Sequence, residues 1–198
     1  MEARASAYVP YDQYAAGEAL SEVRHEWVDG RVFAMAGGTE EHAFLGGTTL
    51  RELGTALRGR SCRPLSNDMR LRSLVTGEAH YADAIVVCGA RNPHPDDRLT
   101  CTNPTVIVEV LSPSTEAYDR GEKFEDYQTF DSLRDFVLVS TGRSHIDHYA
   151  RNSDGSWTLR SCGPGQAFTL TGCDVTIAVD AIYEGVEAVR EPAGAFGL

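Results

Sequence analysis

Pro104-Thr105-Val106-Ile107-Val108-Glu109-Val110-Leu111 reads as an apolar strand with one acid set into it. A lone carboxylate among Val and Ile is costly to bury unless it is paired or bound to metal. Tyr81-Ala82-Asp83-Ala84-Ile85-Val86-Val87 repeats the arrangement, with Asp83 at the head of an apolar run. The two stretches are expected to be neighbouring strands that bring their acids together. Ser112-Pro113-Ser114 then makes a turn, and a helix with Lys123 in its first turn follows.

Two acids with a lysine beside them describe a divalent-metal site for phosphodiester hydrolysis. That reaction needs a positioned water, relief of the charge growing on the phosphoryl oxygens and help for the leaving alkoxide. A hard cation such as Mg²⁺, with Mn²⁺ as a substitute, supplies much of this and prefers carboxylate and water oxygens. Asp83 and Glu109 offer two ligands and the carbonyl of Val110 a third. The Lys123 ammonium would orient or help deprotonate the water and offset phosphate charge.

Outward from this centre, the pattern is that of an α/β protein. Asp29-Gly30 between Trp27-Val28 and Arg31-Val32-Phe33 is a strong hairpin signal. Phe44, Leu45, Leu50, Leu53 and Leu57 keep helical spacing over 41–57, with Gly59 just past the end. Asp68 to Arg72 alternates, which predicts a half-buried strand with its charged set facing out. Arg91 to Asn103, rich in Pro and Asp, is expected to be a mobile, exposed loop. Asp119-Arg120-Gly121-Glu122 resembles a capping box opening a helix that runs to Phe130. Lys123, Tyr127 and Phe130 then share one helical stripe, so the lysine need not face solvent. Strands over Phe136–Val139, 145–151, 156–160 and 175–179 complete a mixed central sheet flanked by helices. The expected organisation is one domain over 1–190 with residues 1–20 loosely packed and a flexible tail from 191 to 198.

The 198 residues are 42% hydrophobic and 24% charged, with no apolar run long enough for a membrane span and no signal-peptide pattern. Five widely spaced cysteines without a Cys-x-x-Cys pair read as free thiols of a cytoplasmic protein. A net charge of −11 argues against generic tight binding of nucleic acid. The charge is uneven, however. Six arginines stand against two acids between Arg51 and Arg72, so Arg51, Arg58, Arg70 and Arg72 are candidate contacts to a DNA backbone.

Several stretches in order across roughly 20–150 resemble the putative restriction-endonuclease family within the PD-(D/E)XK nuclease superfamily. They are His25-Glu26-Trp27-Val28-Asp29-Gly30-Arg31-Val32, Glu40-Glu41-His42, Ser66-Asn67-Asp68-Met69-Arg70-Leu71-Arg72 and Tyr81-Ala82-Asp83. Val108-Glu109-Val110-Leu111-Ser112-Pro113-Ser114-Thr115 and Asp119-Arg120-Gly121-Glu122-Lys123-Phe124, the most specific of them, complete the set. The resemblance implies a restriction-endonuclease-like core, Mg²⁺ dependence, DNA cleavage, a homodimer, and Glu26 as a further acid near the site. Two departures stand out. Ala82 replaces the usual proline, and Leu111 stands where the superfamily pattern has lysine, so activity depends on Lys123 taking that role from the helix. The alternatives are a nuclease-fold binding or assembly protein without turnover, and a metal-dependent phosphoesterase acting on a small substrate.

Other residues read more simply. His42 is expected to be a surface or capping residue and Asp68 a partner of Arg70 and Arg72. His145 and His148, three apart on a strand, face opposite ways and cannot share an ion.

Overall fold

The computed structural model describes residues 8–35 and 37–189; the expected tail from 191 lies outside them. The first helix, α1 (Tyr11–Glu18), leads into the hairpin β1 (His25–Val28) and β2 (Arg31–Ala34). Asp29 and Gly30 both take positive φ, 45° and 73°, as the tight hairpin turn requires. Helix α2 (Glu40–Ala56) follows, then β3 (Cys62–Ser66), β4 (Arg70–Arg72), β5 (Ala79–Tyr81), β6 (Ala84–Cys88), β7 (Thr100–Cys101) and β8 (Val106–Leu111). Two short helices come next, α3 (Glu116–Arg120) and α4 (Glu122–Tyr127). The chain continues through β9 (Asp135–Ser140), β10 (Ile146–Arg151), β11 (Trp157–Cys162), β12 (Ala167–Leu170) and β13 (Val175–Ala178) to α5 (Val179–Tyr183).

The expected α/β architecture, a mixed sheet flanked by helices, is observed. Six strands in the order β11-β10-β9-β8-β6-β3 form the main sheet, parallel only between β8 and β9. Period-2 alternation assigns its faces. Val106, Val108 and Val110 of β8, with Val86 and Val137, pack on Leu45, Leu53 and Leu57 from α2 and its C-cap. Ile107 and Leu111, with Ile85 and Phe136, pack on Phe124 and Tyr127 of α4. Phe124 stacks on Phe136 with ring centroids 4.5 Å apart. Burying a side chain of this size stabilises by about 1.5–3 kcal/mol.

A second, five-stranded sheet in the order β2-β1-β5-β4-β7 holds the largest departures from the sequence expectations. Arg70 and Arg72 do not face solvent: both are buried. Arg70 Nη2 lies 2.6 Å from Asp97 Oδ2 and its guanidinium sits over the Tyr14 ring. Arg72 stacks on Tyr11, 3.3 Å from the ring centroid, and bonds the Gly77 carbonyl. These two arginines are therefore internal and withdrawn from the proposed DNA contacts. Asp97, the partner of Arg70, belongs to the segment expected to be an exposed loop, which instead contributes β7 and the buried Thr100 and Cys101. Residues 8–18 are likewise packed, with Tyr14 buried and the Trp27 indole donating to the Val9 carbonyl. Asp68 pairs with Arg24, not with Arg70 or Arg72.

Two more expectations change. Gly121, with φ −109° and ψ −105°, separates α3 from α4, and Asp119 is a buried acid in α3 rather than a helix cap. Cys62 and Cys88 are register partners on β3 and β6 and form a disulfide, while Cys101, Cys162 and Cys173 are free and buried. The disulfide removes the thiol argument for a reducing compartment. Among the described residues no helix is long and apolar enough to cross a membrane.

Because Arg70 and Asp97 are both buried, removing one strands the other. Asp97→Ala is expected to cost roughly 3–5 kcal/mol, read as a lower midpoint in urea unfolding. Arg58→Ala on the exposed surface should leave that midpoint nearly unchanged.

Candidate active site

Alternation along β8 decides where Glu109 points. Ile107 and Leu111 face α4, so Glu109 between them does too, and it is buried. Tyr127 of α4 donates its hydroxyl to Glu109 Oε1 at 2.7 Å. One turn earlier on that helix, Lys123 places Nζ 3.0 Å from the same oxygen. The lysine shares its ammonium with Glu26 Oε1 at 3.0 Å and has Asp119 Oδ1 at 3.8 Å. Glu26 is delivered by β1: Trp27 pairs with Ala79 and turns inward to Tyr14, leaving Glu26 on the opposite face toward α4. Its Oε1 also accepts the Tyr81 amide at 3.1 Å.

Asp83 lies between β5 and β6, and its Oδ2 accepts the backbone N–H of Val110 at 2.7 Å. That bond fixes the Asp83 carboxylate next to Glu109 in the ladder. His42, in the first turn of α2, reaches over so that Nε2 is 3.5 Å from Asp83 Oδ2. Glu26, Asp83, Glu109, Val110 and Lys123 thus share the wall of one cleft of about 880 Å³, bounded also by the β1–β2 hairpin, residues 37–39 and α3.

The electrostatics are those of a site short of positive charge. Six acids line the cleft (Glu26, Asp29, Asp83, Glu109, Asp119, Glu122) against two cations, Arg31 and Lys123. Burial raises the Glu109 pKa to about 8; Lys123 opposes the rise, and the Asp83 and Asp119 charges add to it. For Glu26, burial is outweighed by Lys123 and His80, so its pKa falls to about 2. Burial works against the Lys123 ammonium, but Glu109, Glu26 and Asp119 raise its pKa well above the ordinary lysine range. It is a fixed cation at neutral pH. The Asp83 carboxylate likewise raises the His42 pKa against burial, with the Val110 carbonyl and Glu109 adding to the rise.

This donor set suits a hard divalent cation. It offers carboxylate oxygens and a backbone carbonyl, and Asp83 Oδ1 and Glu109 Oε2 accept no hydrogen bond among the described residues. Extra positive charge would offset the burial, and the added Asp83 and Asp119 charges, that raise the Glu109 pKa.

Four predicted site residues, Asp83, Glu109, Lys123 and Glu26, therefore converge together with Val110. The arginines do not. Arg70 and Arg72 are interior, while Arg51 lies on the exposed side of α2, bonded to Glu52 and to the Ala181 carbonyl, and Arg58 is exposed just beyond it. Sequence reading missed His42 and Asp119. The adjoining Glu40-Glu41-His42 run was a signal for the first, and the i, i+4 spacing of Asp119 to Lys123 for the second.

The crystal structure of a putative nuclease belonging to DUF820 from Anabaena variabilis is similar to this fold. Its TM-score is 0.67 at 10% identity, covering 84% of this chain and 93% of that one. The two chains thus share one α/β architecture. A family model described as putative restriction endonuclease (Uma2) matches residues 11–179, and the chain belongs to that family. Two Synechocystis sp. proteins, both described as uncharacterized, are similar to it. The protein slr1290 is 33% identical over 175 residues, 88% of this chain and 91% of its own. The protein sll1609 is 26% identical over 147 residues, with shares of 74% and 83%.

Glu109 imposes a pH dependence on stability. Its folded pKa lies above the ordinary 4.5, so its contribution is complete below 4.5 and is lost as pH rises through about 8. Glu26 acts oppositely, its contribution being present above 4.5 and lost as pH falls toward 2. Glu109→Gln should therefore remove roughly 2–4 kcal/mol of the alkaline decline. Urea unfolding in the presence of a chelator, repeated from acid to alkaline pH, checks this: both curves fall with rising pH, because His80, held up to about 10 against burial by the carboxylates of Asp126, Glu26 and Glu78, also loses its contribution there, but the variant's should fall less steeply between 4.5 and 8.

Proposed function

We propose that this chain is a Mg²⁺-dependent DNA endonuclease that hydrolyses phosphodiester bonds. The observation that carries the reading is one ammonium, Lys123 Nζ, held 3.0 Å from acids on two different strands, Glu26 and Glu109, at the wall of a cleft that Asp83 also lines. Family membership supports the reaction class.

In this reading Asp83, Glu109 and the Val110 carbonyl hold Mg²⁺, or Mn²⁺ in its place. When bound, the ion supplies Lewis-acid relief of phosphoryl charge and a more acidic water. Asp83 is set for ligation because the Val110 amide fixes its Oδ2 and leaves Oδ1 to the cleft. Tyr127 and Lys123 grip Glu109 Oε1, which leaves Oε2 for ligation. Lys123 is permanently protonated here, so its role is to orient the attacking water by donation and to offset the charge of the scissile phosphate. It is not a general base. Glu26 keeps that ammonium in place. Arg31 on the hairpin and the exposed Arg51 and Arg58 are cations that can meet the DNA backbone. A homodimer would complete a double-strand cutter.

The test is plasmid nicking with Mg²⁺ or Mn²⁺. Wild type should cut, and Asp83→Ala and Lys123→Ala should lower the rate by on the order of 10²–10³-fold. Glu109→Gln is the sharpest variant, because it should lose cutting while gaining stability at alkaline pH, which no folding defect can mimic. Absence of cutting with any divalent metal would favour a nuclease-fold binding protein. Hydrolysis of a small phosphodiester without DNA nicking would favour the phosphoesterase.

A further inference from the structure

Glu26 has two oxygens, and only Oε1 serves Lys123. Its Oε2 lies 3.6 Å from Nδ1 of His80, a residue that the phosphodiester chemistry does not use. Alternation along β5 places His80 there. Ala79 packs inward with Trp27 and Tyr14, so His80 and, two residues before it, Glu78 take the opposite face, toward α4. Asp126, one residue before Tyr127, meets them from that helix. His80 Nε2 is 3.4 Å from Glu78 Oε2 and 3.3 Å from Asp126 Oδ2.

The polar bookkeeping of this cluster does not close. His80 is fully buried, yet neither ring nitrogen has a hydrogen-bond partner among the described residues, and neither has the buried Asp126 Oδ2. Buried polar atoms are rarely left so. A charge-assisted N–H···O bond would close to about 2.7–2.9 Å, and these contacts stay wider. Their width matches something else: donor atoms around a tetrahedral ion with bonds near 2.0–2.1 Å stand about 3.3 Å apart.

The surroundings complete the pattern. Thr76 donates to Asp126 Oδ1, fixing that carboxylate with Oδ2 free. The Tyr127 ring holds the imidazole edge-on, 5.6 Å between centroids. Glu26 Oε2 stands behind Nδ1, as a carboxylate does behind a metal-bound histidine. The Glu78 side chain is 21% exposed and provides the way in.

We propose that Glu78, His80 and Asp126 bind a divalent ion of the Zn²⁺ class, at a site separate from the Asp83–Glu109 pair. One imidazole nitrogen and two carboxylate oxygens suit such a borderline ion better than Mg²⁺, and three protein ligands leave a position for water. The ion would fix the His80 ring and, through Glu26, help hold Lys123. The proposal does not require nuclease turnover.

The probe is Zn²⁺ itself, titrated calorimetrically into the full chain after chelator treatment, with Mg²⁺ run alongside. Using the Asp83→Asn/Glu109→Gln double variant removes the other metal-binding pair. The expected result is one Zn²⁺ per chain, retained through dialysis by elemental analysis, with Mg²⁺ failing to displace it. Glu78→Gln, a partly exposed change that should keep the fold by circular dichroism, is expected to weaken Zn²⁺ binding at least tenfold. His80→Gln should abolish it, and the thermal shift that Zn²⁺ gives the parent should vanish in both. No stoichiometric Zn²⁺ in the double variant, or binding that Glu78→Gln leaves unchanged, would overturn the assignment and leave His80 a buried imidazolium among carboxylates.

Discussion

Everything near the cleft depends on a single ammonium group. Lys123 Nζ is the meeting point of β1 through Glu26, β8 through Glu109 and α3 through Asp119. Buried carboxylates repel one another and resist leaving water, so without a cation these elements could not close on each other. The lysine accepts burial because three acids surround it, and they accept burial because it is there. Such a mutual arrangement is rigid, and rigidity is what a site needs in order to hold a reactive geometry.

The balance is deliberately incomplete on the anionic side. Burial makes Glu109 reluctant to ionise, and one lysine set against Glu26, Glu109, Asp119 and the nearby Asp83 does not overcome it, since the Asp83 and Asp119 charges add to the rise. A folded chain tuned only for stability would have placed a glutamine or a leucine there. Strain of this kind is concentrated where a protein has work to do, and an incoming cation would turn the same repulsion into binding energy.

How much of this was written in the sequence depends on the range of the interaction. The Asp-Gly hairpin, the α2 stripe and the apolar β6 and β8 runs are local patterns, and they fold as read. Lys123 on a buried stripe was also legible, since Tyr127 one turn on shares its face, although the helix stops at Tyr127 and Phe130 lies beyond its end. What failed was long-range. Alternation predicts one buried face for 68–72, but both faces of β4 are buried: Leu71 enters the core, while Asp97, Tyr11 and Tyr14, far along the chain, cover Arg70 and Arg72. The 91–103 stretch looked like loop because its Pro and Asp residues mask a two-residue strand. Cys62 and Cys88, 26 residues apart, became partners only once β3 and β6 paired. Asp119 was misread because a capping box and a buried acid look alike until a glycine breaks the helix.

The position of Leu111 ties these points together. It lies two residues beyond Glu109 on the same face of β8, where a lysine would have put its ammonium beside that carboxylate from the strand itself. Here the face is covered by α4, and an apolar residue at 111 packs against that helix and helps seat it. Seating α4 is what brings Lys123 to 3.0 Å from Glu109. The exchange therefore moves the cation from strand to helix without moving the charge, and the leucine is part of the means rather than a loss. It also binds the helix to the site's electrostatics: α4 carries both Lys123 and Asp126, one facing Glu109 and the other His80. Two polar clusters three residues apart on one short helix share Glu26 between them, so a shift of α4 would disturb both at once.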